Sequence, residues 1–320
     1  MKKITFSGIV LILLTLFLVT CKKEETTPDD GNKEAREQAV KNYNELYLAS
    51  AVASYNWDGN TSTCNPGTVT QDVYDKVLLR VKYFRATAGL SNAMLTMDAD
   101  LSAKCQQQAL MTLANNNKLS HTPDSTWKCY TADGALAAAK SNIAYGRQNV
   151  ENIDLFIEDP GTGNEKVGHR RWILFSNASK LGFGCTQSSA ALWVINSVSN
   201  WNLPAGTPDF IAWPAKGFIP KQVVYPRWSF AVPVNKYPFQ VDFSNAVVSM
   251  SDQSGNSISL NIIYRTAISS GYVGDNTIVW EPSGINLTSN SDVKYTVNIS
   301  GVKVNGESKN YSYDVNIINP

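Results

Sequence analysis

The hydrophobic pattern of this 320-residue chain changes its period near Trp201. Before that point apolar residues recur at helical spacing between polar turns; the segment Thr70–Leu90 repeats them every third or fourth position and stops at Gly89. After it, short runs of alternating Val, Ile, Tyr and Phe recur at intervals of roughly ten residues, which is typical of antiparallel strands. The pattern predicts an α+β chain, with a helix-rich half followed by an all-β half.

Two domains are expected, over residues 34–204 and 205–320. Further helices and strands are predicted in the first of them. One helix begins at Asp98 or Asp100, and two more cover Thr131–Lys140 and Gln148–Glu158. The strands cover Leu181–Thr186 and Ala190–Ser197. For the second domain, the spacing of these runs predicts an antiparallel β-sandwich of immunoglobulin-like type. It contains no cluster of charged residues or histidines, so we interpret it as a spacer or a binding platform.

The N-terminus has the composition of an export signal. Lys2 and Lys3 precede the apolar run Ile9–Val19, which is too short to span a bilayer as a helix. The letters LVTC that end at Cys21 resemble a lipobox, which predicts a signal peptide over residues 1–21 and a lipidated Cys21 in the mature protein. The alternative is an ordinary signal peptide that happens to contain a cysteine.

A charged stretch follows Cys21. Residues 22–33 lack apolar periodicity and predict a disordered tether. Acidic residues so close to a lipidated cysteine resemble the surface-export signal of Bacteroidetes-type lipoproteins. The resemblance implies an exported protein anchored in the outer membrane through Cys21 and exposed at the cell surface.

Composition limits the partners and cofactors. Charged residues make up 17% of the chain and the formal net charge is +1, which gives no electrostatic footprint for nucleic acid. No glycine-rich phosphate loop follows a strand, so no organic cofactor is expected. The expected partners are the membrane, through the lipid, and an unidentified lipid, small molecule or protein.

Four cysteines remain besides Cys21, and in an oxidising compartment an even number predicts two disulfides. Three pairings are possible. We favour Cys105–Cys129 with Cys64–Cys185, because the first bond would tie a helix to the loop that follows His121. No paired CxxC spacing is present, so a thiolate metal site is not expected.

The chain contains only two histidines, and both stand where polar loops meet apolar elements. His121 lies in the segment SHTPD, and His169 lies in GHRRWIL behind a loop rich in glycine. This placement predicts a shared cleft, although either ring could instead satisfy backbone groups in its own loop. Arg170 and Arg171 are consecutive on the predicted helix and must point about 100° apart. We expect one to pair with an acidic residue of the preceding loop and the other to face solvent.

Short motifs in the first half occur in a recognisable order. They are Arg85 with Ala88–Leu90, Asp98 with Leu101, Ser120–His121, Asn142–Ile143, Gly168–Leu174, and Gly182 with Gly184. This order, from near Val69 to Ile195, resembles the CAP superfamily of cysteine-rich secretory, antigen 5 and pathogenesis-related proteins, and GHRRWIL resembles its bacterial branch. The resemblance implies a three-layer α-β-α sandwich with a small antiparallel sheet. The region from Trp213 to Phe230 resembles a β-rich domain that follows CAP modules in some bacterial proteins.

The resemblance also implies a site. The family keeps two histidines and two acidic residues around a central cavity, which in several members binds a divalent cation. The matching positions here are His121, His169 and Glu158, whereas Ser141 stands where the second glutamate would precede Asn142. The cleft is predicted to be lined by these five residues. Two imidazoles and one carboxylate could hold zinc with water in the fourth place, but the missing carboxylate removes a ligand and a candidate general base.

Three classes of function remain open. The preferred one is a non-catalytic binding module whose cleft takes a small apolar or lipid ligand or a protein partner. The second is a metal-dependent hydrolase or peptidase that uses His121, His169 and Glu158. The third is a structural or adhesive envelope lipoprotein in which the β half does the binding. A serine nucleophile at Ser141 is disfavoured, because no GxSxG or SxxK setting surrounds it.

Overall fold

The computed structural model describes residue 1 and residues 28–198, 200–235, 240–270 and 273–320. Apart from residue 1, the predicted signal peptide, with Cys21 and the start of the predicted tether, lies outside these residues. None of the described helices combines the length and apolarity needed to cross a membrane.

The first helix, α1, spans Pro28–Asn42. Residues 28–33 are therefore helical, and the prediction of a disordered tether over them is wrong. Arg36 anchors the helix to the β half, with its Nε 2.7 Å from Asp292 Oδ2.

Between α1 and α2 the chain forms a π-helical turn at Tyr43–Tyr47 and a 3-10 turn at Leu48–Ser50, and the other described residues of the first half contain five α-helices and four strands. The helices are α2 Gln71–Thr87, α3 Ala99–Ala114, α4 Ala132–Lys140, α5 Glu151–Glu158 and α6 Gly168–Ile173, and the strands are β1 Thr96–Met97, β2 Ser141–Tyr145, β3 Lys180–Cys185 and β4 Ser189–Trp193. The sheet order is β1-β3-β4-β2, with β1 parallel to β3 and the other pairs antiparallel. The predicted helices and strands are present, although the strand predicted over Ala190–Ser197 ends at Trp193.

Helices cover both faces of this sheet. One face packs against α3 and α4 around a small buried cluster that includes Cys105, Ala137 and Trp193. A Cβ added at Gly182 or Gly184 would meet the backbone of α3, so these glycines let the helix lie directly on β3. The opposite face packs against α2, α5 and α6. This is the α-β-α sandwich that was expected.

The described part of the second half contains ten strands. They are β5 Ile211–Trp213, β6 Gly217–Pro220, β7 Trp228–Ala231, β8 Val241–Asp242, β9 Val247–Asp252, β10 Ser257–Ile258, β11 Leu260–Arg265, β12 Thr277–Pro282, β13 Val293–Val304 and β14 Glu307–Ile318. One sheet has the order β10-β9-β13-β14-β6, with β8 beside β13, and the other has the order β11-β12-β7-β5. All pairs are antiparallel except β14 with β6.

The two β-sheets pack face to face through large aromatic rings. The Trp228 ring lies 6.3 Å from Tyr295 of the other sheet, and Phe230 lies 6.0 Å from Tyr313. These contacts are consistent with the predicted immunoglobulin-like sandwich.

One hydrophobic cluster runs through both halves of the chain. Phe84 of α2 and Trp213 of β5 meet at 5.2 Å between ring centroids, and both are fully buried. The outer layer of the α-β-α sandwich therefore packs against the β half, and the two predicted domains share a core.

The disulfide joins Cys64 to Cys129, with Cα atoms 5.2 Å apart, so the predicted pairs Cys105–Cys129 and Cys64–Cys185 are wrong. Cys64 and Cys129 lie in neighbouring loops. Cys105 and Cys185 are free and belong to buried clusters on opposite faces of the first sheet. Burial raises the pKa of each free thiol to about 12.

Both arginines of the GHRRWIL segment are buried, and the prediction that one faces solvent is wrong. Arg170 Nη1 donates to Arg227 O at 2.8 Å and to Ser229 Oγ at 3.0 Å. Arg171 donates from Nε and Nη2 to Asp275 O at 3.2 and 3.1 Å. The expected solvent face is occupied by the β half.

Asp275 makes the stability of this contact depend on pH. Its carboxylate accepts hydrogen bonds from Ser176 N and Oγ, and burial raises its pKa to about 6. The unfolded chain releases this proton near pH 4, so between about pH 4 and pH 6 the native state holds a proton that the unfolded state lacks. The free energy of unfolding should therefore fall as pH rises through this window, by about 3 kcal/mol from this group.

Asp275→Asn should remove this pH-dependent part of the free energy of unfolding, measured by urea unfolding between about pH 4 and pH 7. Asp72→Asn, at an exposed position of α2, is the matched control. The prediction fails if the Asp275 variant keeps the pH dependence of the unmodified protein.

Candidate functional site

A cavity of about 570 Å³ lies where β2, α5 and the loop before α6 meet. Its apolar wall consists of Leu119, Ile143, Ala144, Leu155, Phe156 and Pro160. Its polar groups are Ser120, His121, Tyr145, Asp159, Thr162, Asn164 and His169. Both histidines of the chain thus line one cavity.

His169 is held by a buried carboxylate. Its Nδ1 lies 2.7 Å from Asp159 Oδ1, while Asp159 Oδ2 accepts a hydrogen bond from the His169 backbone N–H at 2.9 Å. The Asp159 side chain is 0% exposed and the His169 side chain 24% exposed. An ionised carboxylate only accepts hydrogen bonds, so Nδ1 carries the hydrogen and Nε2 remains available to a ligand.

His121 presents the same atom. Its Nδ1 lies 2.7 Å from Ala138 O. A carbonyl oxygen only accepts, so this nitrogen carries the hydrogen and Nε2 of the neutral ring is an acceptor. Each ring therefore uses one nitrogen for a protein bond and keeps the other for the cavity's contents.

The end of α5 decides which acidic residue reaches the cavity. The helix ends at Glu158, and Asp159 adopts the left-handed conformation with φ 54°, followed by Pro160. This turn brings the Asp159 carboxylate to His169. Glu158, which the sequence favoured, is not among the lining residues. The signal that could have identified Asp159 is its position directly before a proline, at the residue that reverses the chain.

The other two predicted cleft residues, Asn142 and Ser141, do not line the cavity. Asn142 is buried and donates from Nδ2 to His169 O at 3.0 Å, which ties α6 to β2. Ser141 is buried, and its Oγ lies 3.6 Å from Cys105 Sγ. Its contact with Cys105 of α3 places the Ser141 side chain on the α3 side of the sheet, and the next side chain along the strand, Asn142, points to the other side.

Comparison with known proteins agrees with this architecture. Residues 78–197 match the family model described as the cysteine-rich secretory protein family, CAP. These residues form a CAP domain. Proteins of this family are usually secreted. A search of curated proteins found no match to the chain.

Among solved structures, the chain is similar to a DUF4426 family protein from Pseudomonas aeruginosa PAO1. The identity is 19%, the match covers 29% of this chain and 74% of that one, and the TM-score is 0.20. This likeness carries no argument about the CAP domain or its cavity.

The cavity of the CAP domain does not fit the implied zinc site. Across the described residues there is no group of three or more His, Cys, Asp or Glu side chains that could hold a metal ion. Glu158 does not line the cavity, and both oxygens of Asp159 already accept hydrogen bonds from His169. The two imidazoles lack a third protein ligand, so we derive no chemistry through a metal.

Asp159→Asn should change the tautomer of His169. An amide can donate as well as accept, so it no longer confines the imidazole hydrogen to Nδ1. Imidazole ¹⁵N NMR should show the Nδ1–H form of His169 in the unmodified protein and a mixture of tautomers in the variant. His121 is the internal control, and its signals should stay unchanged. An Nε2–H tautomer of His169 in the unmodified protein would contradict the assignment.

Proposed function

We propose that this chain is an exported CAP-domain protein that binds a small, mainly apolar ligand bearing a hydroxyl group. The observation that carries the proposal is the pair of imidazole Nε2 acceptors on one cavity that also has an apolar wall. Its volume, about 570 Å³, lies within the range of about 300–1,000 Å³ that small-molecule sites occupy.

The wall and the polar groups of the cavity would recognise different parts of the ligand. Leu119, Leu155 and Pro160 would cover a hydrocarbon body, because they are lining residues that keep exposed apolar surface, and burial contributes about 25 cal/mol per Å² of that surface. A ligand hydroxyl would donate to a histidine Nε2. A ligand without a donor would leave that nitrogen desolvated and unpaired, which disfavours its binding.

The rim of the cavity supports an apolar ligand. Tyr145 is 56% exposed and Leu119 is 40% exposed, and both line the cavity; the Tyr145 ring adds an apolar face beside its polar hydroxyl. Exposed apolar surface at a concave site is typical of binding surfaces. They would contact any part of a ligand that extends beyond the cavity.

Binding of a long-chain alcohol, compared with its methyl ether, tests the proposal. The double change His121→Ala with His169→Ala should weaken alcohol binding roughly 3- to 10-fold, because it removes both acceptors open to the single hydroxyl hydrogen. The ether should bind more weakly than the alcohol and respond little to this change. Ser125→Ala, in an exposed loop outside the cavity, is the control. Equal affinities for alcohol and ether would contradict the proposal.

A second candidate function is hydrolysis without a metal, and the Asp159–His169 pair favours it. A buried carboxylate that orients an imidazole is the arrangement with which hydrolases hold a general base. His169 Nε2 would take a proton from a water molecule that attacks an ester or amide carbonyl, and would return that proton to the alcohol or amine that leaves as the ester or amide bond breaks. Turnover in a panel of esters and peptides should then be lost in both Asp159→Asn and His169→Ala. Lack of turnover across the panel would remove this candidate.

Lipid anchoring is the remaining part of the proposal, and the sequence that ends at Cys21 supports it. Cys21→Ser should abolish both the fatty-acyl mass on the mature N-terminus and the recovery of the protein with membranes. The absence of any fatty-acyl mass from the N-terminus of the unmodified protein would indicate an ordinary signal peptide.

A further inference from the structure

We infer that the β half is a working part of the cavity, because Arg227 of that half positions Asp159 and through it His169. The inference rests on the proposed function in one respect, namely that this cavity is the binding site. It assigns to the β half a role that a spacer would not have.

Arg227 reaches from the β half to the loop that carries the carboxylate. Its Nη1 donates to Asp159 O at 2.6 Å, and its Nη2 donates to Gly161 O at 2.9 Å. Its Nε lies 3.2 Å from Glu281 Oε1 of β12. The guanidinium is thus fixed to the β half on one edge and holds two loop carbonyls with the other.

Arg170 makes the reciprocal connection. From the residue next to His169 it donates to Arg227 O in the β half, and also to Ile157 O at 2.6 Å and Glu158 O at 3.2 Å. Carbonyls in the last turn of a helix lack partners within that helix, and these two find one in the guanidinium. The two arginines therefore cross between the halves on either side of Asp159.

The backbone of this loop needs such support. Asp159 has φ 54° and Val167 has φ 43°, both in the left-handed region that residues with a Cβ rarely adopt. Such conformations persist when surrounding bonds over-determine them. By holding the Asp159 carbonyl, Arg227 fixes the peptide from which the carboxylate turns toward His169 Nδ1.

The test compares the two histidine rings by NMR in the full chain. Arg227→Ala should move the His169 ring resonances toward those of Asp159→Asn and leave the His121 resonances in place. The matched control is Arg265→Ala, since Arg265 also donates to a backbone carbonyl, Ala246 O at 3.3 and 3.4 Å, but within the β half. Arg227→Lys can reach only one of the two carbonyls and should give an intermediate shift.

A second variant separates positioning from loss of folding. Glu281→Gln keeps the guanidinium but weakens its anchor, and should move His169 in the same direction by a smaller amount. His169 signals that match the Arg265→Ala control in both the Arg227→Ala and the Glu281→Gln proteins would overturn the inference.

Binding of the long-chain alcohol separates this inference from the proposed function. Arg227→Ala should weaken that binding roughly 3- to 10-fold, as expected for one misdirected hydrogen-bonding group. If His169 responds to Arg227→Ala but the unmodified protein does not bind the alcohol, positioning stands and the proposed function fails. If both proteins bind the alcohol equally and the His169 signals do not respond to Arg227→Ala, positioning fails and the proposed function stands.

Discussion

The buried guanidinium of Arg170 is the interaction on which the rest of this structure depends. Its acceptors come from both halves of the chain: two carbonyls at the end of α5, the carbonyl of Arg227 and the hydroxyl of Ser229. A buried cation is strongly disfavoured unless polar groups surround it. Without the β half, half of this shell would be missing. The helix-rich half is therefore built to be completed by the strands that follow it.

Three consecutive side chains of helix α6 point in three different directions, because successive residues of an α-helix are rotated by about 100°. His169 lines the cavity, Arg170 bridges the halves, and Arg171 donates to the backbone of Asp275. One short segment thus joins the candidate ligand site to the interface that supports it. A structural change at the interface can therefore move the His169 imidazole, because the two are connected by hydrogen bonds and by one turn of helix.

The elements with strong periodicity could be predicted from the sequence, and features that depend on the final turn of an element or on a distant neighbour could not. Apolar spacing identified α2 and α3, and the order of short motifs identified the CAP domain. The disulfide was missed because α3 and β3 place Cys105 and Cys185 in separate buried clusters. The sequence favoured Glu158 over Asp159 because the left-handed conformation of Asp159, which turns its own carboxylate toward the cavity, cannot be read from the pattern. The buried arginines were unpredictable because their partners lie far along the chain.

Thermal unfolding of the full chain, followed separately in each half, tests the central claim most directly. The claim is that one core and the arginines of α6 join the CAP domain and the β half into a single cooperative unit. The ring signals of His169 and the methyl signal of Ile299 in β13 should disappear at the same temperature, with a single calorimetric transition. Two separate transitions, with either signal persisting after the other is lost, would contradict the account.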